Sequence, residues 1–163
     1  MANDNKITDK ISVVPTDEIL KLDNQLCFAL YVCSKEIIKK YKPLLDPLGL
    51  TYTSYITLLA LWEEDNINVK DLGKKLYLDS GTLTPILKKL ESANLVHRKR
   101  SEIDERNVYI SLTKEGFSLK EKATNIPKDL VCSLASTNNN TVISTELLTV
   151  LHQLIETLTF DKL

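Results

Sequence analysis

Residues that would mark a metal centre, a disulfide scaffold or a phosphate loop are scarce in this chain of 163 residues. The three cysteines form no CxxC pair, which argues against a secreted disulfide framework and against a structural zinc site. The two histidines, His97 and His152, lie far apart, so neither a metal cluster nor a Ser/His/Asp triad is indicated. Four glycines form no Gly-rich phosphate loop. We therefore expect no metal and no cofactor.

Long apolar runs and an excess of charge of one sign are also missing. No apolar stretch approaches the roughly 20 residues of a membrane span, and residues 1–10 lack the apolar core of a signal peptide. These absences predict a cytoplasmic protein with no membrane partner. The formal net charge is -1, so any DNA-binding surface must be a local basic patch. With 43% hydrophobic residues, the chain has enough apolar side chains to bury a core.

Hydrophobic periodicity predicts that most of the chain is helical. Apolar residues recur every three or four positions over a first helix, 17–41, which carries a second apolar stripe beside the first. A second helix lies in "TYTSYITLLALWEED", with Thr51 or Thr53 as its cap. Two short helices follow, in "NVKDLGKKL" and "DSGTLTPILKKLESANL", the latter capped by Asp79 or Ser80.

After the second short helix, the spacing of apolar residues changes from a helical period to the alternation of a strand. Residues 95–113 alternate as two strands joined by a long charged loop, 101–106. Helix returns in "TKEGFSLKEKATNIPKDLVCSLAS", with a bend expected at Pro127, and "STNNNT" is a polar break. A last amphipathic helix, "STELLTVLHQLIETL", opens on Ser144 or Thr145. The order of elements predicts a mainly α fold with a small β-hairpin, the pattern of a winged helix-turn-helix.

Four parts follow from this pattern: a flexible arm (1–14), an N-terminal dimerisation and sensor helix (15–50), a winged helix-turn-helix domain (51–113) and C-terminal dimerisation helices (114–163). The outer helices carry more apolar residues than the small central domain can cover. Packing within one chain would account for them. A homodimer built from both ends of the chain accounts for them better, and it would suit a pseudo-palindromic DNA site.

Basic residues concentrate in the hairpin, which holds all three arginines of the chain. Arginine forks onto phosphate or enters a narrow minor groove, and short hydroxyl side chains near a helix start can reach bases and phosphates. An ordinary solvated loop is the alternative. An acid among arginines would repel phosphate, so Asp104 is expected to hold a nearby Arg or Lys in position. The candidate DNA-binding residues are Ser80, Thr82, Thr84, Lys88, Lys89, Arg98, Lys99, Arg100, Asp104 and Arg106.

The segment "NQLCFALYVC" places Cys27 and Cys33 in a run that otherwise looks like the buried stripe of a helix. A buried cysteine usually packs as a small hydrophobe, so the residues alone leave Cys27 open between packing and reactivity. Its predicted position is mid-helix, which leaves hydrogen bonds, rather than a helix N-terminus, to favour the thiolate. Cys27 and Cys33 cannot pair within one straight helix, because six residues rise about 9 Å and a disulfide needs Cα atoms within roughly 7 Å.

Several motifs, in order and at the expected spacing, resemble a known family. "LYLDSGTLTPILKKLE" and "LVHRKRSEIDERNVYISLT" resemble the MarR family of winged-helix regulators, including its D-x-R wing signature at Asp104 and Arg106. "NQLCFALY", "YKPLL" and "LGLTYTSYITLLALWE" narrow the resemblance to organic hydroperoxide regulators of the OhrR type. The likeness runs from about Leu22 to Lys122. It implies a homodimeric transcriptional repressor that binds double-stranded DNA while a cysteine is reduced and releases its operator after oxidation by organic hydroperoxide.

The same resemblance implies roles for individual residues. Cys27 matches the sensing thiol, and Tyr41 and Tyr52 match the tyrosines that hydrogen-bond the thiolate. Arg106 matches the minor-groove arginine of the wing. Cys132 stands where the two-cysteine branch of the family has its resolving thiol, while Cys33 departs from the family's pattern, in which a small polar residue is usual. Tyr41 lies about four turns beyond Cys27 on the predicted helix, so a contact would require the partner subunit's helix or a bend in the chain.

Three other functions fit parts of the pattern. A MarR-type regulator that responds to a phenolic or lipophilic ligand would leave Cys27 incidental. A thiol peroxidase would consume peroxide as its function, but it would have no need of the arginine cluster. A protein-interaction module could keep the winged-helix fold without reading DNA. Binding to DNA with and without an organic peroxide distinguishes these from a redox-sensing regulator, which is not an enzyme.

Overall fold

The computed structural model describes residues 16–104, 106–135 and 145–159. The chain divides into two compact units, residues 1–39 and residues 40–163. The predicted arm 1–14, the polar break 136–141 and a cap at Ser144 lie outside the described residues. The helices are α1 (Thr16–Ile19), α2 (Leu26–Leu45), α3 (Tyr52–Glu63), α4 (Val69–Leu76), α5 (Ser80–Ser92), α6 (Lys114–Ala123), α7 (Ile126–Ala135) and α8 (Thr145–Thr159), and the strands are β1 (Ile67–Asn68), β2 (Val96–Arg100) and β3 (Val108–Leu112). This mainly helical architecture with a small antiparallel sheet confirms the predicted fold class.

The predicted first helix, 17–41, is wrong in its continuity and in its end. The chain makes the single turn α1, then a 3₁₀ turn at Leu22–Asn24, and α2 starts only at Leu26. Side-chain amides interrupt the helix because they bond to backbone carbonyls that a continuous helix would use: Asn24 donates to Glu18 O at 2.6 Å, and Gln25 donates to the carbonyls of Ile19 and Lys21. At its other end α2 continues past Pro43 to Leu45.

Residues 51–95 form the compact helical part of the second unit. Thr51 caps α3, Asn68 caps α4 and Asp79 caps α5, each by accepting a hydrogen bond from a backbone N–H in the first turn. One face of α5 is buried at Leu83, Leu87 and Leu90, which is the i, i+4, i+7 pattern of a helix packed against a core. The core also takes in fully buried side chains from α3, α4 and the sheet, namely Leu58, Leu61, Leu72, Val96 and Ile110.

The sheet has three strands in the order β1-β3-β2. The two long strands are those that the alternation at 95–113 predicts, and they pair antiparallel with Val96 opposite Leu112 and Arg100 opposite Val108. The third strand, β1, is not evident in the sequence, because two residues are too few to show an alternation. It pairs Ile67 with Ile110. Both side chains are buried, so β1 attaches the hairpin to the helical core.

Helix α6 starts against the turn that precedes β2. Thr113 caps it by accepting from Gly116 N, and its own hydroxyl donates to Asn94 O. Gly116 has no room for a side chain, since an added Cβ would lie 2.0 Å from Leu95 O. The bend expected at Pro127 is a break between α6 and α7: α7 starts at Ile126 and takes Pro127 into its first turn, where a missing N–H costs no hydrogen bond.

No single described helix is long and apolar enough to cross a membrane, although the bent pair Leu26–Leu48 and Tyr52–Glu63 passes by length and composition alone.

Candidate DNA interface and thiol site

The N-terminus of α5 is held by a two-pronged cap from Asp79. One carboxylate oxygen accepts the backbone N–H of Thr82 at 2.9 Å, and the other accepts the Thr82 hydroxyl at 2.7 Å. These hydrogen bonds, the one from the hydroxyl first and the one from the backbone second, hold the pKa of the Asp79 carboxyl below its usual range. The cap is therefore charged at neutral pH, and it fixes both the start of the helix and the orientation of the Thr82 hydroxyl.

The other candidate residues of α5 lie along its solvent-facing side. Thr84 is half-buried, and its hydroxyl donates to the carbonyl of Ser80 at 2.6 Å. Ser80, Lys88 and Lys89 are exposed. No ion pair reaches either lysine within the residues that the structure describes. The predicted hydroxyl and lysine residues of α5 thus lie outside the buried stripe of leucines, on both flanks of the helix.

The two arginines of β2 differ in environment. Side chains alternate along a strand, so Arg98 and Arg100 share the face of the buried Val96. Arg100 is exposed. The side chain of Arg98 is only 25% exposed, and its Nη1 lies 3.6 Å from Oε2 of Glu91 in the last turn of α5. Its Nε is buried, and none of the described residues accepts a hydrogen bond from it. Arg98 therefore joins the wing, which consists of β2, β3 and the loop between them, to α5, and it is a poor candidate for direct contact with DNA.

The wing tip is folded by Asp104, but not through a charge pair with a cation. The Asp104 carboxylate accepts the backbone N–H of Arg106 at 3.0 Å and the side-chain amide of Asn107 at 3.3 Å. Ser101 completes the turn, because its hydroxyl accepts the backbone N–H groups of Ile103 and Asp104. In the described part of the wing, the expected link from Asp104 to an Arg or Lys side chain is replaced by hydrogen bonds from the Arg106 backbone and the Asn107 side chain. The Arg106 side chain is left exposed, as is Lys99, which pairs with Glu102 at 3.0 Å.

Cys27 lies in the first turn of α2 and is exposed. The mid-helix position expected for it is wrong, because the side-chain bonds of Asn24 and Gln25 delay the helix start to Leu26. Gln25 has extended backbone angles, and its carbonyl accepts the N–H of Ala29, as the residue before a helix does. Cys27 therefore belongs to the turn whose backbone N–H groups have no partner within the helix. Cys27 is not buried within one protomer, so packing inside the protomer does not account for this thiol.

The other two thiols are also exposed, Cys33 on α2 and Cys132 on α7. Since α2 is continuous between Cys27 and Cys33, the helical rise of about 9 Å keeps this pair from forming a disulfide. No group of three His, Cys, Asp or Glu side chains suited to a metal ion occurs among the described residues.

Tyr41 and Tyr52 meet in the second unit. Their ring centroids are 4.9 Å apart, and the ring of Tyr55 lies 5.8 Å from that of Tyr41. Burial, then the neighbouring phenols of Tyr52 and Tyr55, raise the pKa of Tyr41 above its ordinary value. Tyr41 consequently remains a protonated phenol, and hence a hydrogen-bond donor, at neutral pH. The structure thus brings together two tyrosines that the sequence separates by eleven positions and adds Tyr55, which the sequence analysis missed.

The sequence analysis also missed the structural roles of three side chains, those of Glu91, Asn24 and Gln25. Paired amides just before an apolar run are a usable signal, since Asn readily bonds to nearby backbone and so interrupts helices. No local signal marks Glu91, because its partner is seven residues away on a different element.

The chain has relatives among proteins of known sequence and of known structure. The profile of the family described as transcriptional regulator SarA/Rot matches residues 39–123. The chain is 60% identical over 108 residues to the organic hydroperoxide resistance transcriptional regulator of Bacillus subtilis, an alignment that covers 66% of this chain and 74% of that protein. It is 48% identical over 141 residues to the HTH-type transcriptional regulator SarZ of Staphylococcus epidermidis, covering 86% and 93%.

Among solved structures, reduced AbfR bound to DNA is similar with a TM-score of 0.72 and 31% identity, covering 96% of this chain and 98% of that one. The disulfide form of AbfR is similar with a TM-score of 0.60 and 30% identity, covering 94% and 97%. AbfR is a protein of Staphylococcus epidermidis.

Proposed function

This chain belongs to the SarA/Rot family of MarR-type winged-helix transcriptional regulators, and we propose that it is a homodimeric repressor that leaves its operator when an organic hydroperoxide oxidises Cys27. Membership of this family makes the chain a DNA-binding transcriptional regulator with redox-sensing relatives. The dimer, the oxidant and the roles of individual residues are the proposal.

One observation carries it: the exposed thiol of Cys27 in the first turn of α2. The start of a helix favours negative charge, and the thiolate, not the thiol, attacks a peroxide. The sulfur bonds to one peroxide oxygen as the O–O bond breaks. The second oxygen leaves as an alkoxide and takes up a proton to become an alcohol, and Cys27 becomes a sulfenic acid. A relative with 60% identity is named for organic hydroperoxide resistance, which supports this oxidant class.

We assign Tyr41 and Tyr52 to the thiolate of the partner subunit. Their contact with each other supports a shared role, because two phenols in one cluster can donate to a single sulfur. The raised pKa of Tyr41, caused first by burial, disfavours its phenolate and so supports its use as a donor.

The homodimer is proposed from apolar side chains that both ends of the chain leave in solvent. In the first unit Leu26, Leu30 and Tyr31 are exposed, and on α8 Leu148, Val150 and Leu158 are exposed. Exposed apolar surface of this kind usually marks an interface. A two-fold dimer would present two copies of α5 to a pseudo-palindromic DNA site, with half-sites about one helical turn apart.

For the DNA contact we propose two groups of residues. Ser80, Thr82, Thr84, Lys88 and Lys89 on α5 face the major groove, and Lys99, Arg100 and Arg106 on the wing reach phosphates or the minor groove. Asp104 acts by shaping the wing tip. Arg98 is reassigned to holding the wing against α5.

Oxidation of Cys27 is, in this proposal, a signal and not the turnover of an enzyme. Relatives are named as transcriptional regulators, and a peroxidase would gain nothing from the exposed cations of the wing. A regulator that binds the chromosome acts in the cytoplasm, which is therefore the proposed location.

The test is a titration of duplex DNA from upstream of the protein's own coding sequence, before and after cumene hydroperoxide. Reduced wild-type protein should bind this DNA more tightly than random duplex and should release it after treatment. Cys27→Ser should bind as the reduced protein does and stay bound, while Cys33→Ser, a matched change on the same helix, should release like wild type. Release by the Cys27→Ser variant would show that another group is the sensor.

A further inference from the structure

We propose that α5 recognises exocyclic amino groups of cytosine or adenine through the hydroxyl oxygens of Thr82 and Thr84, both acting as hydrogen-bond acceptors. This inference deepens the proposed function and rests on it, because it requires α5 to enter the major groove. It adds a base preference. It also assigns part of that preference to Asp79, which acts through Thr82 and does not itself contact a base.

The hydroxyl protons of both threonines are already used inside the protein. A carboxylate can only accept, so in the 2.7 Å contact between Thr82 Oγ1 and Asp79 Oδ2 the proton comes from Thr82. A carbonyl can also only accept, so in the 2.6 Å contact between Thr84 Oγ1 and Ser80 O the proton comes from Thr84. Each hydroxyl has one proton. What each oxygen can still offer to a ligand is a lone pair.

Few groups on DNA can donate a hydrogen bond to these threonine oxygens. In the major groove the donors are the N4 amino group of cytosine and the N6 amino group of adenine, whereas guanine O6 and N7, adenine N7 and thymine O4 accept. Phosphate oxygens also accept. Thr82 and Thr84 could contact those acceptors only by breaking an internal bond, and for Thr82 that bond is to a charged partner, which makes it one of the stronger kind. The pair is therefore matched to cytosine and adenine.

The helix presents the two oxygens on opposite flanks of its exposed side. With 3.6 residues per turn, Thr82 and Thr84 lie about 100° to either side of the buried Leu83. Between them, away from the core, run Gly81 and Pro85, both exposed and without a polar side-chain atom. Across the exposed side the two oxygens are therefore about 160° apart, and a helix lying in the groove would present them to different base pairs.

Asp79 sets the polarity at Thr82 alone, which provides a sharp test. In Asp79→Asn the amide oxygen can keep the bond to Thr82 N, and asparagine is as good a cap as aspartate. The amide NH₂ then faces Thr82 Oγ1 in place of the carboxylate oxygen. Because the amide donates, the hydroxyl must accept there, and its proton is released toward the groove. Thr84 keeps its bond to Ser80 O and serves as the internal control.

The experiment selects bound sequences from a random duplex library with reduced wild-type protein, Asp79→Asn, Thr84→Val and Thr84→Ser. Wild type should enrich cytosine or adenine at two positions of each half-site. Asp79→Asn should shift one position toward guanine or thymine and leave the other unchanged. Thr84→Val should lose preference at that other position by roughly two- to tenfold, while Thr84→Ser, which keeps the hydroxyl, should retain it. Replacing a selected adenine by purine, or a cytosine by pyrimidin-2-one, should weaken wild type by the same factor and leave Thr84→Val unaffected.

Selection of the same bases by Asp79→Asn, Thr84→Val and wild type would overturn the inference, as would a wild-type preference for guanine or thymine at these positions. Thermal unfolding of each variant separates a lost preference from a lost fold. If reduced wild-type protein binds no duplex at all, the proposed function fails and this inference fails with it. If it binds duplex without the stated preferences, only the inference fails.

Discussion

Nη1 of Arg98 lies 3.6 Å from Oε2 of Glu91, so an ion pair connects β2 to the last turn of α5, the helix that we propose as the recognition helix. The geometry makes Arg98 a positioning residue, because its side chain is mostly buried and oriented toward the protein. The distance is long for a strong salt bridge, and Glu91 is partly exposed, so its effect should show in DNA binding more than in stability.

The first prediction follows from this pair. Glu91→Gln and Arg98→Gln should each weaken DNA binding, and the double variant should be little weaker than either alone, since both break the same link. Neither should change the salt dependence of binding. The matched control is Arg100→Gln, two residues along the same strand face, which should reduce the salt slope by about one. Tighter DNA binding by Glu91→Gln, together with a reduced slope for Arg98→Gln, would instead mean that Arg98 contacts phosphate.

The second prediction concerns the exposed cations. Arg106→Ala should weaken binding to the selected operator by roughly 1 to 3 kcal/mol without dissociating the dimer. Lys88→Ala should lower affinity more evenly across sequences and reduce the salt slope. Fluorescence anisotropy at several salt concentrations measures both quantities, with size-exclusion chromatography to follow the dimer. Unchanged binding by the Arg106 variant would remove the wing tip from the interface.

The third prediction concerns the paired phenols. Tyr41→Phe and Tyr52→Phe should each slow the oxidation of Cys27 by roughly tenfold, because each removes a donor that favours the thiolate. The rate of sulfenic acid formation, trapped with a dimedone probe, measures the effect. Tyr77→Phe, at an exposed tyrosine of the same unit, should react as wild type does. Equal rates for all four proteins would exclude the phenols from the chemistry.

The fourth prediction concerns the resolving thiol. The sulfenic acid at Cys27 is electrophilic and condenses with a thiolate that can reach it. With Cys132 of the partner subunit as that thiolate, stoichiometric organic peroxide should produce a covalent dimer on non-reducing electrophoresis. Cys132→Ser should abolish the dimer band, and Cys33→Ser should not.

If the Cα atoms of Cys27 and Cys132 start more than about 7 Å apart, the bond requires backbone movement. That movement would change the spacing of the recognition helices and thereby release the operator. A monomer-sized band carrying a small-thiol adduct would place the protein in the one-cysteine branch of the family.

The fifth prediction concerns the cap of the recognition helix. The pKa of Asp79 is lower in the folded protein than the ordinary 3.8. The stabilising effect of its charge is thus fully present above about pH 4 and is lost as pH falls through the lower folded value. Asp79→Ala should have a lower melting temperature than wild type at pH 7, and the difference should shrink in acid. Asp79→Asn keeps a cap that does not titrate, so its melting temperature should rise relative to wild type in the acid range. A difference that is constant with pH would contradict a charged cap.

Local patterns in the sequence were sufficient to predict the secondary structure of most of the winged-helix domain. Thr51 and Asp79 were each one of two candidate caps that the sequence offered, because capping is a contact between residues three positions apart. The hairpin was predicted from its alternation, and α5 from its helical period. The family resemblance and the concentration of arginines in the wing were likewise visible in the residues themselves.

The sequence-based predictions were wrong or incomplete where hydrogen bonds and strand pairing, rather than apolar spacing, decide the structure. Apolar periodicity continues from Ile19 through Ile37, but it carries no information about Asn24 and Gln25 bonding to backbone six residues earlier, and those bonds place Cys27 in a first turn. The two-residue strand β1 exists only because β3 supplies its partner. Whether an acid or an arginine faces DNA also depends on what lies beside it in space.

By itself, the sequence determined the helices after residue 50, the hairpin, the charges available for DNA and the thiols available for oxidation, because each depends on residue type or on spacing within a few positions. Only the tertiary structure decided how groups on different elements are committed: Arg98 to Glu91, and Tyr41 to Tyr52. A side chain has few donors and acceptors. Its function depends on which of them the fold leaves unused, and that is a property of neighbours in three dimensions.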